Sequence, residues 1–238
     1  MNTDTQKLMM KNLTGAGTHA HTRQPDTIFV LIACEETQRE CIAFRERGFQ
    51  AFSCDIQPCS GKHPEWHVHG DVTRLLSGKC CFRTQDGKYH YIHHWNLIIA
   101  HPPCTYLCKL SSVHMFVNHV LQPSRFSNMI SARHFFMTCF NAPADFLAVE
   151  NPQPMAIARL PKPSCYADPS WFGHKYTKKT LYWTRNLPPI MPTYINPTRK
   201  SLVNCSRGKW RSWTPWPLAR ALAQQWGDYI LNTLSGCM

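Results

Sequence analysis

Residues 27–55 read TIFVLIACEETQRECIAFRERGFQAFSCD, and this stretch decides the fold. Ile28 to Ala33 is an uninterrupted apolar run with the length and composition of a buried parallel strand. Glu36 to Arg47 places apolar side chains on one side and charges opposite, which predicts a helix that stops at Gly48. Phe49 to Asp55 is a second strand. A strand, a helix and a strand ending in an acid begin a doubly wound nucleotide-binding fold.

The chain beyond this unit supplies further elements of the same architecture. Trp95 to Ala100 and Phe146 to Val149 are short apolar runs typical of buried strands. Cys80 to Tyr91 alternates around Asp86-Gly87, which predicts a hairpin inserted into the fold. Helices are expected at Ser127 to Phe140 and at Pro217 to Leu234. The predicted fold class is therefore α/β, with a doubly wound, Rossmann-like and mostly parallel sheet.

The charge distribution favours nucleic acid as a partner. Lys and Arg number 26 against 14 Asp and Glu, which gives a formal net charge of +12. No acid occurs from Pro169 to Gly227, where Lys and Arg are interleaved with Trp. Such a surface suits a polyanion whose bases can stack, and a solvated basic face is the alternative. In the basic, Trp-rich segment 169–215, the residues expected to contact DNA, duplex or single-stranded, are Lys175, Thr177, Arg207, Lys209 and Arg211.

The domain organisation is expected to be simple. Residues 1–26 are polar and without periodicity, which predicts a flexible arm, and residues 27–238 are predicted to form a single domain. No apolar run approaches the roughly 18 residues that a membrane-spanning helix needs, so a transmembrane protein is excluded. The polar opening contains no signal segment, so we expect a cytoplasmic protein whose cysteines are reduced thiols.

Chemically distinctive side chains stand at the predicted carboxyl ends of strands, where open parallel sheets bind ligands. They are Asp55, Asp71, Cys104 and Glu150. Asp55 is placed to accept hydrogen bonds from ribose hydroxyls, and Asp71 could accept one from an adenine amino group. Cys104 follows a Pro-Pro turn and can be a nucleophile if its thiolate is stabilised. Burial is expected to raise the pKa of Glu150 towards that of a general acid.

The order and spacing of these motifs resemble the DNA cytosine-5 methyltransferase family. The motifs are Phe52-Ser53-Cys54-Asp55, Gly70-Asp71-Val72, Pro102-Pro103-Cys104, Glu150-Asn151-Pro152 and the closing segment Trp213 to Trp226. The resemblance covers about Ile28 to Ile230 and is closest to short methyltransferase-like proteins common in phages and prophages. It implies an S-adenosylmethionine-dependent methyltransferase fold and a bacterial or phage-infected host cell.

The resemblance also implies a role for individual residues. Cys104 would attack carbon 6 of cytosine, Glu150 would protonate ring nitrogen 3, and carbon 5 would take the methyl group of S-adenosyl-L-methionine. Lys178 or Lys179 would stand in for the arginines that hold the cytosine oxygen. The implied cofactor-binding residues are Ala33, Cys34, Glu35, Glu36, Asp55, Ile56, Asp71, Val72 and Pro102. No metal is implied.

Two departures from the family pattern leave other functions open. The segment Ala33 to Gln38 lacks the glycines of the family's first motif, and about thirty residues separate Thr180 from Trp213, too few for a large target-recognition domain. One alternative is a related carbon-5 modification of DNA or of a free cytosine nucleotide with a different donor. Another is a non-catalytic nucleic-acid-binding module, although the intact Cys104 and Glu150 speak against it.

A separate cluster of potential metal ligands occurs between residues 54 and 69. Its members are Cys54, Cys59, His63, His67 and His69. Their spacing matches no common closed zinc motif, so we expect structural or incidental roles for them and no metal site.

Overall fold

A computed structural model describes residues 28–201 and 212–236. The predicted arm at residues 1–26 and the predicted DNA contacts Arg207, Lys209 and Arg211 lie outside the described residues. The strands are β1 (Phe29–Ala33), β2 (Gln50–Asp55), β3 (His67–His69), β4 (Cys80–Arg83), β5 (Tyr89–Ile92), β6 (Trp95–Ala100), β7 (Phe116–Val117), β8 (Val120–Leu121), β9 (Ala144–Asn151), β10 (Cys165–Ala167), β11 (Tyr176–Thr177), β12 (Thr180–Arg185) and β13 (Lys200–Ser201). The α-helices are α1 (Arg39–Arg45), α2 (Pro123–Phe140) and α3 (Trp216–Leu234).

Seven strands form a central sheet in the order β10-β12-β9-β6-β1-β2-β3. The five strands from β9 to β3 are parallel, whereas at one edge β12 pairs antiparallel with β9 and β10 pairs antiparallel with β12. From β1 the chain continues to β2 on one side, and later returns to β6 on the other. This reversal of strand order opens a crevice at the carboxyl ends of β1 and β6. The α/β fold with a mostly parallel sheet is as predicted and is compatible with a Rossmann-like fold.

Helices cover both faces of the sheet, because successive strand residues point in opposite directions. Leu31 and Ala33 of β1 pack in the core beneath α2, which contributes Phe136. Val30 and Ile32 pack in a second core beneath α1 and α3. None of the helices in residues 28–201 and 212–236 is long and apolar enough to span a bilayer.

The predicted hairpin is present as a separate two-stranded sheet, and a strand in the interior of the central sheet was not predicted. The hairpin of β4 and β5 is present, and Gly87 takes a positive φ of 95° in its turn. Strand β12 was not predicted, because its surroundings are rich in cations and read as part of a DNA-facing surface. It lies inside the sheet between β9 and β10, and its Tyr182 and Trp183 are core residues. Part of the basic segment 169–215 is therefore structural.

Helix α1 begins at Arg39, three residues later than predicted. Gln38 occupies the left-handed region with φ of 58°, which interrupts the helical path before it. The carboxylate of Glu35 accepts hydrogen bonds from the backbone N–H groups of Glu40 (2.7 Å) and Cys41 (3.2 Å). These contacts satisfy donors of the first helical turn that no helix carbonyl can reach. Residues 34–38 therefore form a loop at the carboxyl end of β1.

A second loop, residues 57–63, holds the 34–38 loop in place. Gln38 Nε2 donates to the carbonyl of His63 (2.8 Å), and the His63 N–H donates back to Gln38 Oε1 (3.1 Å). Ser60 donates its N–H to the carbonyl of Glu36 (2.8 Å) and its hydroxyl to the Glu36 carboxylate. A Cβ atom at Gly61 would lie 2.6 Å from Gln38 Cβ and 2.7 Å from the Thr37 carbonyl oxygen. The two loops can approach this closely only because residue 61 is glycine.

We expect Gly61→Ala to lower the free energy of unfolding by about 1–3 kcal/mol, the usual cost of overpacking. The added methyl group must displace backbone and not only a flexible side chain. Urea denaturation followed by circular dichroism measures the change. Gly70→Ala is the matched control, since no atom lies within 4 Å of a Cβ built there. Equal losses in the two variants would show that loop contact at Gly61 is unimportant.

Candidate active site

The carboxyl ends of β1, β2, β6 and β9 frame two cavities. The larger has a volume of about 300 Å³ and is also lined by Ser212, Trp213 and Thr214 from the segment before α3. The smaller has a volume of about 180 Å³ and an apolar lining that includes Ile56, Val72 and Phe135. The two cavities share four lining residues, which are Cys34, Asp55, Gln57 and Pro103. The shared lining makes them adjoining lobes of one site, with Asp55 at their junction.

Most of the predicted site residues line this two-lobed site. The larger lobe contains Cys34, Glu35, Glu36, Asp55, Pro102, Cys104, Glu150 and Lys178, and the smaller lobe contains Cys34, Asp55, Ile56, Asp71 and Val72. Ala33 is the exception among the predicted cofactor-binding residues, since it is fully buried in β1 and lines neither lobe. The topology thus brings together groups that are up to about 140 positions apart in sequence.

The tips of β6 and β9 are joined by hydrogen bonds. The side-chain amide of Asn151 donates from Nδ2 to the carbonyl of Pro102 at 2.7 Å, and Asn151 is buried. The backbone N–H of His101 donates to the Ala33 carbonyl at 2.9 Å. The carbonyl of Cys104 accepts from the N–H groups of Leu107 and Cys108. These bonds fix the loop that carries Cys104 beside the strand that carries Glu150.

His101 lies between two buried carboxylates. Its Nε2 is 3.1 Å from Glu40 Oε2 and its Nδ1 is 3.4 Å from Glu150 Oε2. The Glu40 side chain is 0% exposed, and those of His101 and Glu150 are 14% and 16% exposed. Burial opposes a charge on the imidazole, but the two carboxylates outweigh burial and raise the pKa of His101 well above its ordinary value. The ring is therefore a buried imidazolium.

The pKa of Glu150 is lowered, which corrects the expectation of a raised value. Burial by itself raises it, as expected. The hydrogen bond from His101 and the positive charge of Lys178 act in the opposite direction and prevail. Sequence reasoning found the burial of Glu150 and missed its cationic partner. Glu150 is accordingly a carboxylate at neutral pH.

The thiol of Cys104 is protonated at neutral pH. Burial is the main cause, and the neighbouring Cys108 and Glu150 add to it, so that the pKa rises to about 11. The charge of Lys178 is the favourable influence that lowers this pKa. A thiolate at Cys104 therefore needs further stabilisation when substrate binds, because the side chains around it do not supply enough.

Of the two lysines predicted to act at the site, the structure places Lys178 in it. Lys178 lines the larger lobe and influences both Cys104 and Glu150. Lys179 turns away, with its Nζ 4.5 Å from the centre of the Tyr166 ring. The predicted DNA contacts Lys175 and Thr177 lie next to β11 and in it, and neither lines either lobe.

Two buried polar atoms in the larger lobe have no partner among the described residues. They are Trp213 Nε1, a donor, and Asn151 Oδ1, an acceptor. An unsatisfied buried polar group costs about 1–3 kcal/mol, so such groups inside a cavity indicate polar atoms of a ligand. The Trp213 ring itself is fixed by the Arg39 guanidinium, 4.8 Å from its centre. Neither residue was named as a site residue from sequence.

Glu40 and Thr214 complete a network that sequence reasoning also missed. Thr214 donates its hydroxyl to Glu40 Oε1 at 2.8 Å, while the other oxygen of Glu40 faces His101. One signal in sequence could have pointed to it: Glu40 falls on the same helical side as Ala43 and Phe44, three and four positions later, where a charge is exceptional. A glutamate on the buried side of a helix indicates a polar or cationic partner within the fold.

The cluster of potential metal ligands between residues 54 and 69 supports the loop after β2. His67 accepts a hydrogen bond from the Ser53 hydroxyl (2.8 Å) and donates one to the carbonyl of Gln57 (3.0 Å). His69 donates to the carbonyl of Ile56 (3.0 Å). Within the described residues no group of three or more His, Cys, Asp or Glu is arranged to hold a metal ion. These histidines position Ile56 and Gln57 in the site.

We expect His101→Asn to destabilise the protein by about 3–5 kcal/mol at pH 7, because two buried carboxylates lose their cation. Lys178 remains beside Glu150 in the variant, and we expect burial to outweigh this single cation, so that the pKa of Glu150 rises above its ordinary value and folding of the variant takes up a proton. The stability of the variant therefore falls as pH rises from about 5 to 7. The wild type loses less over this range, because there only the unfolded imidazole gives up a proton while the folded His101 keeps its own, so the deficit grows. Urea denaturation at pH 5, 6 and 7 measures the deficit. A constant deficit would show that His101 carries no charge.

We expect alkylation of Cys104 by iodoacetamide to accelerate about tenfold per pH unit between pH 7 and 10, below its pKa of about 11. Lys178→Met should slow the reaction at each pH, because it removes the charge that favours the thiolate. Peptide-resolved mass spectrometry reports this thiol separately from the others. Lys179→Met is the matched control and should react as wild type does. The reverse ranking of the two variants would place Lys179, not Lys178, beside the thiol.

The geometry is the basis for assigning this site. The chain matches no protein-family model and no curated protein sequence. The grouping of Cys104, Glu150 and Asp55 around one site is accordingly the observation from which function has to be inferred.

Proposed function

We propose that this protein transfers a methyl group from S-adenosyl-L-methionine to carbon 5 of cytosine in DNA. The observation that carries the proposal is the shared site of Cys104 and Glu150, with Asp55 at its junction with an apolar lobe. A nucleophile and a hydrogen-bonding carboxylate on one side of the site suit a pyrimidine ring. The junction and the apolar lobe suit a nucleoside cofactor.

The two lobes fit the parts of S-adenosylmethionine. Ile56, Val72 and Phe135 offer an apolar slot for adenine, beside Asp71 for its amino group. Asp55 is placed for the ribose hydroxyls. The unpartnered Trp213 Nε1 in the larger lobe is a donor for the cofactor's carboxylate, and Glu36 lines the same lobe. Glu35 is engaged by helix α1 and shapes the loop.

The missing glycines do not prevent this fit. Glycine in such a motif lets the backbone turn sharply and come close to the cofactor. Here Cys34 itself takes a positive φ of 63°, and Gln38 does so at 58°, so the loop makes the turns without glycine. The contact at Gly61 holds it there. The loop geometry therefore supports the same use of the β1 tip.

In the proposed reaction Cys104 and Glu150 act on opposite parts of the cytosine ring. The Cys104 sulfur forms a bond to carbon 6 as its thiol proton passes to the Glu150 carboxylate, and Glu150 delivers that proton to nitrogen 3, so negative charge does not accumulate on the ring. His101 keeps its own proton and stabilises Glu150 as a carboxylate before and after this transfer, because its Nδ1 faces Glu150. The bound cofactor supplies an electrophilic methyl group for carbon 5. Loss of the carbon 5 proton to water, elimination of the Cys104 sulfur as a thiolate and return of the nitrogen 3 proton through Glu150 to that thiolate restore the ring and the enzyme.

Lys178 supports the reacting groups in two ways. Its charge favours the thiolate of Cys104, and it lines the lobe where the cytosine oxygen would lie. A cytosine in duplex DNA has to leave the base stack to reach these groups, at a cost of a few kcal/mol. Cations on the protein surface offset this cost through contacts with phosphates.

We expect Cys104→Ser to reduce the methylated product by at least a thousandfold while leaving the fold intact, because a serine hydroxyl is a far weaker nucleophile towards carbon 6. Nucleoside mass spectrometry of duplex and single-stranded DNA, incubated with S-adenosylmethionine, measures the product. Cys108→Ser is the matched control, since Cys108 lies next to Cys104 but does not line the site.

Other outcomes separate the proposed reaction from its alternatives. An unchanged product yield in Cys104→Ser would rule out the covalent mechanism. A different added mass on cytosine in DNA from producing cells would assign a different donor to the same residues. A wild-type protein that binds DNA and yields no product from DNA or free cytosine nucleotide would be a binding module.

A further inference from the structure

A groove of about 610 Å³ lies beside the proposed active site. One wall is the short 3₁₀ helix Lys109–His114 with the adjoining Met115 and Phe116. The other wall is the chain from Gln153 to Pro163. The floor and walls are largely apolar, and Met155 and Met115 are buried at its base. No residue of the mechanism proposed above lies in it.

The charged residues that line the groove are all cationic. They are Lys109, Arg159 and Lys162, and no acidic residue lines it within the described part of the chain. All three side chains belong to exposed residues, so they can reach past the apolar lining. An apolar slot with a cationic rim is complementary to a ligand that has a flat apolar part and anionic groups on either side. A nucleotide within a strand is such a ligand.

The groove borders the site along the chain. Its two walls are the chain segments that follow Cys104 and Glu150, and they are joined by backbone bonds from the Lys109 N–H to the Gln153 carbonyl and from the Met155 N–H to the Leu107 carbonyl, both 2.7 Å. Pro152 lines the larger lobe, whereas the next residue, Gln153, lines the groove. The two linings are therefore adjacent along the chain, and a strand bound in the site would have the groove as a neighbouring surface.

We propose that this groove binds an unpaired nucleobase adjacent to the target cytosine, with Lys109, Arg159 and Lys162 on the neighbouring phosphates. The inference rests on the proposed function and deepens it, because it makes single-stranded or locally unpaired DNA the substrate. A base inside a duplex cannot enter the groove while it remains paired. Leu110 and Val113 belong to the same 3₁₀ helix and are exposed without lining the groove, so they would pack on further unstacked bases. The position of the groove next to the site favours this occupant over an acidic peptide.

The test uses labelled single-stranded oligonucleotides that carry one cytosine, with an abasic site placed one to three nucleotides from it on either side. Fluorescence anisotropy with the full-length protein gives Kd for each. At one of these positions the abasic site should weaken binding to wild type about fivefold or more, since a stacked base is lost. In Phe116→Ala the same abasic site should have no further effect, because the groove wall that contacts the base is already gone.

The cationic rim is tested by the salt dependence of binding. The double variant Lys109→Gln, Lys162→Gln should reduce the slope of log K against log salt by about 1.4, the sum for two phosphate contacts on a single strand. Matched controls come from the β4–β5 hairpin region, which is remote in sequence from both walls. Lys79→Gln and Tyr89→Ala remove an exposed cation and an exposed aromatic ring there, and both should bind as wild type does.

The outcomes distinguish failure of the groove from failure of the proposed function, since methylated cytosine is measured in the same samples. The groove proposal alone is overturned if the oligonucleotide is methylated and no abasic site changes its Kd. It is also overturned if the oligonucleotide is methylated and Tyr89→Ala loses as much DNA affinity as Phe116→Ala. The groove proposal is also overturned if duplex DNA is bound and methylated as well as single-stranded DNA is. Binding of an acidic apolar peptide in the groove, where DNA does not compete with it, would overturn it too. The absence of both binding and product with every DNA overturns both proposals.

Discussion

The positive charge on His101 is the condition on which the rest of the site depends. Its ring lies between the carboxyl groups of Glu40 and Glu150 and supplies the positive charge that both of them face. Glu40 also accepts the Thr214 hydroxyl, so the same centre anchors the segment that carries Trp213. Contacts with the protonated His101 and with Glu40 thereby connect helix α1, the tips of β6 and β9, and the chain before α3. Apolar side chains at this position would be easier to bury, but the hydrogen bonds of the charged cluster fix the position of Glu150 in the site.

The parts of the fold that could be predicted are those with a local physical cause. An apolar run such as Trp95 to Ala100 must be buried, and Asp86-Gly87 turns a hairpin wherever the chain places it. Strand β12 has no such signature, because Thr180–Arg185 mixes polar and aromatic residues in a cationic neighbourhood. Its place in the sheet is set by pairing with β9, a contact between segments about thirty residues apart in sequence. The late start of α1 likewise follows from contacts of Gln38 with a loop 25 residues away.

The site was predictable to a similar extent. Strand order brings the carboxyl ends together, so Asp55, Cys104 and Glu150 could be assigned to one place without knowing a single distance. The electrostatics could not be assigned in this way. Whether burial or a neighbouring cation sets the pKa of Glu150 depends on His101, and the relevance of His101 depends on Glu40, 61 positions earlier in the chain. Lys178 and Lys179 are adjacent in sequence and alike in chemistry, so the sequence does not show which side chain enters the site and which one packs on Tyr166.

The hydrogen bond from Thr214 to Glu40 spans 174 positions, and it bears on how the protein comes to be active. The parallel strands β1, β2, β6 and β9 can assemble from the earlier part of the chain, whereas the lobe that contains Trp213 is completed only when the segment before α3 has docked. Closing so long a loop is entropically costly and slow compared with local pairing. During synthesis, a chain that has already formed its sheet would still lack a finished ligand site. Competence to bind would thus be acquired last, as a property of the complete fold.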